Sequence, residues 1–94
     1  MEEIVGVHVL VQGKVQGVGF RAFTQAQANQ KGLDGWVKNR QDGTVEVEAE
    51  GPKEMLETFL KDLEKGPLFS HVTKIIVDWK VPNRHTQGFT IRRG

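Results

Sequence analysis

The amino-acid sequence predicts an α+β fold in which two helices cover one face of an antiparallel sheet. Three observations favour it: segments in which apolar and polar residues alternate, two segments with apolar residues at helical spacing, and turn residues between these segments. The chain has 94 residues, which is enough for one modest hydrophobic core. We therefore expect a single domain over residues 1–94.

The first third of the chain predicts a strand, a glycine-rich loop and a helix. From Ile4 to Gln12, valines recur at every second position, which places them on one face of a strand. The stretch from Gly13 to Gly19 contains three glycines and is typical of a loop. A helix follows from Phe20 to about Lys31, and Gly32 is suited to end it. Its expected apolar stripe consists of Phe20, Phe23, Ala22 and Ala26.

The middle of the chain predicts a hairpin and then a second helix. Strand two, from Gly35 to Asn39, and strand three, from Val45 to Glu50, flank Asp42-Gly43, which is a strong hairpin signal. Strand three alternates apolar residues with glutamate, so we expect one buried face and one acidic, solvated face. Pro52 suits the first turn of the second helix, and Gly66-Pro67 ends it. Its apolar positions are Met55, Leu56, Phe59, Leu60 and Leu63.

The last third of the chain predicts strand four from Val72 to Val81 and a short terminal strand from Phe89 to Arg92. The resulting order is βαββαβ, a split βαβ repeat that is typical of the ferredoxin-like α/β sandwich. We also expect the two tryptophans, Trp36 and Trp79, to pack in or near the core. This fold hosts many unrelated activities, so function has to be sought in particular residues.

Composition and charge exclude several classes of site. The chain has no cysteine, which excludes disulfides, thiolate metal sites and thiol nucleophiles. The spacing of His8, His71 and His85 does not indicate a shared metal site, so we expect no metal and no cofactor. No signal peptide or membrane span is recognisable, so we expect a cytoplasmic protein without a membrane partner. The net charge of +1 gives no overall basic field, so an anion site has to be built locally.

The most informative segment is GKVQGVGFR, from Gly13 to Arg21, between a strand and the start of a helix. A glycine-rich turn can direct successive N–H groups into one concavity, and the helix N-terminus adds a partial positive charge. Both favour a phosphate group, and the Arg21 guanidinium can bind two phosphate oxygens at once. Taken alone, however, such a loop is better interpreted as a plain connection, and Asn39 as a turn residue.

Two motifs together resemble those of the acylphosphatase family. The segment from Gly13 to Arg21 is similar to the family's G-x-V-Q-G-V-x-F-R motif. The segment from Gly35 to Gly51 is similar to its G-W-V-x-N-x-x-x-G-x-V motif with a further glycine at the end. The resemblance covers nearly the whole chain, including GPLFSHV near Gly66. It implies a metal-independent hydrolase that converts small-molecule acyl phosphates to a carboxylate and inorganic phosphate, and we expect a monomer.

The resemblance also implies a role for each site residue. Backbone amides from Gln16 to Arg21, which we call the cradle, hold the phosphoryl group, and the Arg21 side chain completes it. The cradle consists of Gln16, Gly17, Val18, Gly19, Phe20 and Arg21. Asn39 orients the attacking water. An acyl phosphate has a good leaving group, so these residues supply positioning and charge stabilisation rather than strong acid or base catalysis.

Two other functions stay open at this point. A non-catalytic module could bind a phosphate or an acyl phosphate with the same cradle, although Asn39 favours catalysis, because binding alone needs no water-positioning amide. An RNA-binding domain of the RRM kind could share the same fold. The glutamates between Val45 and Glu50 argue against it, because they replace the stacking aromatic residues and repel phosphate. We therefore expect no nucleic-acid partner.

Overall fold

A computed structural model describes residues 3–93 and contains five strands and two helices in this part of the chain. In chain order, the elements are β1 (Ile4–Lys14), α1 (Phe20–Gln30), β2 (Asp34–Asn39), β3 (Val45–Pro52), α2 (Lys53–Lys65), β4 (His71–Lys80) and β5 (Phe89–Arg92). The predicted βαββαβ order is confirmed, and a short terminal strand follows it.

The five strands form one sheet in the order β4-β1-β3-β2-β5. The first four are antiparallel to their neighbours, as predicted, whereas β5 pairs in parallel with β2 and makes the complete sheet mixed. Strand β1 continues two residues beyond the predicted Gln12, because Gly13 and Lys14 pair with β4 after a register shift. The connection from β1 to α1 is therefore short, at residues 15–19.

The core lies between one face of the sheet and the two helices. Val7, Val9 and Val11 of β1 are paired with Ala49, Val47 and Val45 of β3, and all six side chains are buried. Helix α2 packs on this layer through Leu56, Phe59 and Leu63, while Met55 is exposed. The alternation of valine in the strands thus places these residues as the sequence predicts, and the helical spacing in α2 does so for every predicted apolar position except Met55.

Helix α1 confirms only part of the predicted apolar stripe, because Phe20 is buried and Phe23 is partly buried. Ala22 and Ala26 are exposed, and the buried positions are Phe20, Thr24 and Ala28, each four residues from the next. Burial of Thr24 is possible because its hydroxyl donates a 2.8 Å hydrogen bond to the carbonyl of Phe20. The side of α1 that faces the sheet is therefore the one with Phe20, Thr24 and Ala28, which lie four residues apart, and not the one with Ala22 and Ala26.

The two tryptophans depart from the prediction of core packing. Trp79 lies on the helix-covered face, in register with Val7, but β4 is an edge strand and leaves the indole 45% exposed. Trp36 lies on the opposite face, where the guanidinium of Arg92 sits 4.5 Å from the ring centroid and the ammonium of Lys38 5.6 Å from it. Trp36 therefore packs under cations on the outer face and does not contribute to the core.

The outer face of the sheet is acidic along β3, as predicted, but its glutamates are half-buried and paired. Glu46 accepts a 2.7 Å hydrogen bond from His8, and the Lys80 ammonium lies 3.1 Å from Glu48. Two of the three glutamates on this face, Glu46 and Glu48, therefore have a basic residue as partner. Among residues 3–93, neither helix is long and apolar enough to cross a membrane.

Candidate active site

The loop between β1 and α1 has a backbone conformation that depends on two glycines. Gly17 has a φ of 73° and Gly19 a φ of 80°, in the left-handed region that glycine adopts without steric cost. A Cβ atom added at either position would meet no other described atom within 4 Å. The glycines are therefore required by conformation rather than by crowding, and the loop surface above them is open.

The N-terminus of α1 follows this loop directly. Gly19 is the N-cap residue, and the amide of Phe23 donates to its carbonyl at 3.0 Å. The three preceding amides, at residues 20–22, lie before the first intrahelical hydrogen bond. Within the described chain, this helix end has no side-chain cap and no acidic residue in its first turn. It can therefore bind an external anion through its N–H groups and its partial positive charge.

Asn39 is the last residue of β2 and pairs with Val45 across the hairpin. Its side-chain oxygen Oδ1 is buried, and none of residues 3–93 provides a hydrogen-bond donor for it. An unsatisfied buried acceptor costs about 1–3 kcal/mol, so such an atom calls for a partner from solvent or ligand. This oxygen can accept an O–H hydrogen bond, which is the interaction that holding a water molecule requires.

Gln16 connects the loop to the hairpin that contains Asn39. Its side-chain amide nitrogen donates to the backbone carbonyls of Arg40 at 2.7 Å and Thr44 at 2.9 Å. The two ends of the hairpin loop are themselves joined, because the Arg40 amide donates to the Thr44 carbonyl at 2.9 Å. One side chain therefore fixes the position of the cradle relative to the strand end that places Asn39.

The loop, the helix end and Asn39 border one cavity of about 250 Å³. The described residues that line it are Val15, Gly17, Gly19, Phe20, Arg21, Ala22, Asn39, Ile91 and Arg93. Among residues 3–93, the lining of the cavity includes two arginines and no carboxylate. The ion pairs formed by the described residues include neither Arg21 nor Arg93, so both guanidinium groups can interact with an anion.

The structure brings most of the predicted site residues together. Gly17, Gly19, Phe20, Arg21 and Asn39 all line the cavity. The other two predicted positions do not, because the Gln16 side chain binds the hairpin and the partly buried Val18 packs against the core. Their backbone amides are the groups to which the sequence assigned a role, and that role stays a prediction.

Four lining residues were not predicted as site residues: Val15, Ala22, Ile91 and Arg93. Val15 and Ala22 adjoin the cradle in sequence, whereas Ile91 and Arg93 come from a distant segment. They reach the cavity because β5 runs parallel to β2, with Ile91 in register with Val37. Residue types in the segment from Phe89 to Arg92 indicate a strand but not the strand with which it pairs, so only the sheet topology could have predicted these two residues.

In the described part of the chain, no three His, Asp or Glu residues are grouped as metal ligands.

Comparison with known proteins gives a consistent result. The family model described as acylphosphatase matches residues 7–91. The chain is 43% identical over 88 residues to an acylphosphatase of Geobacillus thermodenitrificans, covering 94% of each chain. It is 54% identical over 70 residues to an acylphosphatase of Bacillus licheniformis, covering 74% of this chain and 78% of that one.

The same likeness extends to three-dimensional structure. The crystal structure of acylphosphatase from Bacillus subtilis superposes with a TM-score of 0.91 at 43% identity, over 94% of this chain and 98% of that one. The family-model match, the relatives and the fold therefore agree over almost the whole described sequence. The chain belongs to the acylphosphatase family.

Proposed function

We propose that this protein hydrolyses the carboxyl-phosphate bond of acyl phosphates and that the cradle, Arg21 and Asn39 perform the reaction. The observation that supports it most directly is that one cavity is lined by residues of the α1 N-terminus, by Arg21 and by Asn39, whose side-chain oxygen has no hydrogen-bond partner among residues 3–93. Each of the three suits a different part of a phosphoryl transfer to water.

The phosphoryl group binds to the amides from Gln16 to Arg21. In this proposal, the loop N–H groups and those of the α1 N-terminus face one concavity, and the positive φ of Gly17 and Gly19 supports such a turn. Arg21 binds two phosphoryl oxygens at once and counters the charge that spreads over them in the transition state. Binding of the tetrahedral anion thus needs no acidic or metal-ligating side chain.

Asn39 holds the nucleophilic water through its Oδ1 atom. A carbonyl oxygen repels the phosphoryl oxygens but accepts a hydrogen bond from water, so an asparagine in the cavity lining with an unpartnered Oδ1 favours hydrolysis over simple phosphate binding. The water oxygen forms a bond to phosphorus as the bond from phosphorus to the acyl oxygen breaks. The carboxylate leaves with the bonding electrons, and an oxygen of the substrate accepts the proton, since neither Arg21 nor Asn39 is a base at neutral pH.

We further infer that residues 1–94 form one domain that works as a metal-independent monomer in the cytoplasm. The radius of gyration of 12.1 Å is close to the roughly 13 Å expected of a compact 100-residue domain. The lack of cysteine suits a reducing compartment. Size-exclusion chromatography with light scattering tests the oligomeric state.

Benzoyl phosphate hydrolysis in the presence of EDTA tests the reaction, with a phosphate monoester such as p-nitrophenyl phosphate as the control substrate. We expect turnover of benzoyl phosphate that survives EDTA, little turnover of the ester, and competitive inhibition by inorganic phosphate. Phosphate binding without turnover would identify a non-catalytic binding module instead. Activity that is lost in EDTA and restored by a divalent ion would exclude the metal-independent mechanism.

A further inference from the structure

The end of β5 lies beside the end of β2, next to Asn39. The two strands are parallel, with Val37 opposite Ile91 and Lys38 opposite Arg92. The next positions in this register are Asn39 and Arg93. Residues that are opposite each other in a sheet lie on the same face, so this register places Arg93 on the face of Asn39.

The side chains of the neighbouring residues Arg92 and Arg93 lie on opposite faces of the sheet. The guanidinium of Arg92 lies over Trp36 on the outer face of the sheet, 4.5 Å from the ring centroid. Successive side chains alternate between faces, which directs Arg93 to the helix-covered side. The cavity confirms this placement independently, because Arg93 and Ile91 line it and Arg92 does not.

The proposed reaction assigns no role to Ile91 and Arg93. The phosphoryl group is bound by the cradle with Arg21, and water by Asn39, so the remaining lining for the acyl part of the substrate includes an aliphatic side chain, Ile91, and a cation, Arg93. Arg93 is exposed and no carboxylate among residues 3–93 pairs with it. A neutral acyl group would leave this guanidinium unused, whereas an acyl group with its own carboxylate would pair with it.

We propose that Arg93 is a specificity-determining residue that binds a second anionic group on the acyl part of the substrate. This inference rests on the proposed function. The substrate class is then the mono-acyl phosphates of short dicarboxylic acids, with their methylene groups against Ile91 and their free carboxylate at Arg93. Because this contact forms equally in the ground state and the transition state, it acts mainly on KM.

The test compares succinyl phosphate with butyryl phosphate, which has the same number of carbons but no carboxylate. We expect kcat/KM of the wild type to favour succinyl phosphate about fivefold to tenfold, as an accessible charge-assisted hydrogen bond allows, and the preference to shrink in high salt. In Arg93→Gln, the ratio of kcat/KM for succinyl phosphate to that for butyryl phosphate should fall to near one, because KM for succinyl phosphate rises. In Arg93→Glu, butyryl phosphate should become the better substrate. Arg92→Gln, which removes the same charge on the other face, should keep the wild-type preference.

The outcomes separate this inference from the reaction itself. Absence of hydrolysis of both substrates by the wild type would overturn the proposed function. Hydrolysis of both with no preference, or a preference that Arg93→Gln does not change, would overturn only the role of Arg93. An equal loss on both substrates in Arg93→Gln would also overturn it, because Arg93 would then act on the phosphoryl group. Thermal melts of each variant confirm that the compared proteins are folded.

Discussion

At one end of the sheet, a loop donates backbone N–H groups to carboxylates of the chain itself, and at the other end we propose that a loop donates them to the anion of a substrate. In the loop after β4, the amides of Asn83 and Arg84 donate to the two carboxylate oxygens of Glu50 at 2.6 and 3.0 Å. In the same loop, the Gly88 amide donates to Asp34 at 2.8 Å. This end supplies its own anions.

The cradle end also contains residues with a left-handed φ, but no carboxylate among residues 3–93 lines its cavity. Arg84 has a left-handed φ of 60°, close to the 73° and 80° of Gly17 and Gly19. Such turns direct successive amides into an anion-binding concavity. No acidic residue lines the cavity in the described part of the chain, and two arginines do. The comparison shows that an amide-lined turn is structural where the chain provides a carboxylate and suited to a ligand where it does not.

The largest expected effect is that of Arg21→Lys. Lysine keeps the charge but cannot form two fixed hydrogen bonds to phosphoryl oxygens, so kcat/KM for benzoyl phosphate should fall by roughly 10³-fold, and phosphate inhibition should weaken. Steady-state kinetics with phosphate as inhibitor measure both. Arg84→Lys makes the same change at the other end and should keep wild-type kinetics. Near-normal activity of Arg21→Lys would reduce Arg21 to a surface cation.

Asn39→Ala should separate binding from catalysis. Because the amide acts when water attacks, kcat should fall by on the order of 10²-fold, while phosphate affinity stays within a few-fold. Calorimetry with phosphate and kinetics on the same preparation measure the two. Asn83→Ala is the matched control, since Asn83 Oδ1 accepts only a local hydrogen bond from His85. Loss of phosphate binding in Asn39→Ala would place Asn39 in the cradle instead.

Ala22→Asp should make the cradle end resemble the other end by adding an internal anion. Ala22 is exposed in the first turn of α1 and lines the cavity, so a carboxylate there competes with phosphate. We expect kcat/KM to fall by roughly tenfold to a hundredfold, since like charges roughly 6–10 Å apart repel by about 2–3 kcal/mol near a protein surface.

The melting temperature of Ala22→Asp should not fall, because an acidic residue in the first turn of a helix is worth about 0.3–1 kcal/mol. Ala26→Asp, one turn later on the exposed side, serves as the control and should leave kinetics near wild type. A destabilised Ala22→Asp protein with unchanged phosphate affinity would contradict the anion-binding role of this helix end.

Glu50→Gln should destabilise the end of the sheet where the loop after β4 donates its amides to Glu50, without affecting the reaction. The amide side chain keeps one acceptor oxygen for the two loop amides and loses the charge, so the free energy of unfolding should fall by about 1 kcal/mol. Denaturant unfolding measures this, and kcat/KM should stay unchanged. Glu64→Gln, on the exposed side of α2, should change stability by less than about 0.5 kcal/mol. A loss of activity in Glu50→Gln would show that the two ends are coupled.

The sequence predicts most of the fold because its strands and second helix follow simple periods. Alternating valine fixes which side of β1 and β3 is buried, and Asp42-Gly43 fixes the hairpin that places Asn39. The prediction fails for part of α1, where Thr24 is buried because its hydroxyl donates a hydrogen bond to a carbonyl of the same helix. It fails for Trp79 because edge position, which depends on the strand order, sets its exposure.

The candidate site could be predicted where it depends on one local segment and not where it depends on topology. The loop and Arg21 lie in one contiguous motif, so their proximity follows from the chain itself. The Gln16 side chain bonds to carbonyls 24 and 28 residues away, and Arg93 reaches the cavity only through the parallel pairing of β5. Such contacts join segments that are distant in sequence, and residue type alone does not specify them.

Asp42 is a third carboxylate that accepts a backbone N–H group. It lies at the cradle end of the sheet, but it stabilises the hairpin between β2 and β3. Asp42 accepts hydrogen bonds from the Thr44 hydroxyl at 2.6 Å and the Thr44 amide at 3.0 Å. The hydrogen bond from the Thr44 hydroxyl is the main reason why the pKa of Asp42 lies below its ordinary value of 3.8. The Thr44 amide and then the charge of Arg40 lower this pKa further. Asp42 does not line the cavity, so it stabilises a turn and not a ligand.

The smallest expected effect is therefore a pH-dependent difference between the wild type and Asp42→Asn. The folded pKa of Asp42 is lower than the unfolded one, so its stabilisation is complete above about pH 4 to 5 and is lost as the pH falls through the folded pKa. The melting temperature of the wild type should exceed that of Asp42→Asn by more at about pH 6 than at about pH 2.5, while benzoyl phosphate kinetics at neutral pH stay equal. A difference that grows as the pH falls would contradict the direction of the pKa shift, and a large loss of kcat would mean that the hairpin carboxylate positions Asn39.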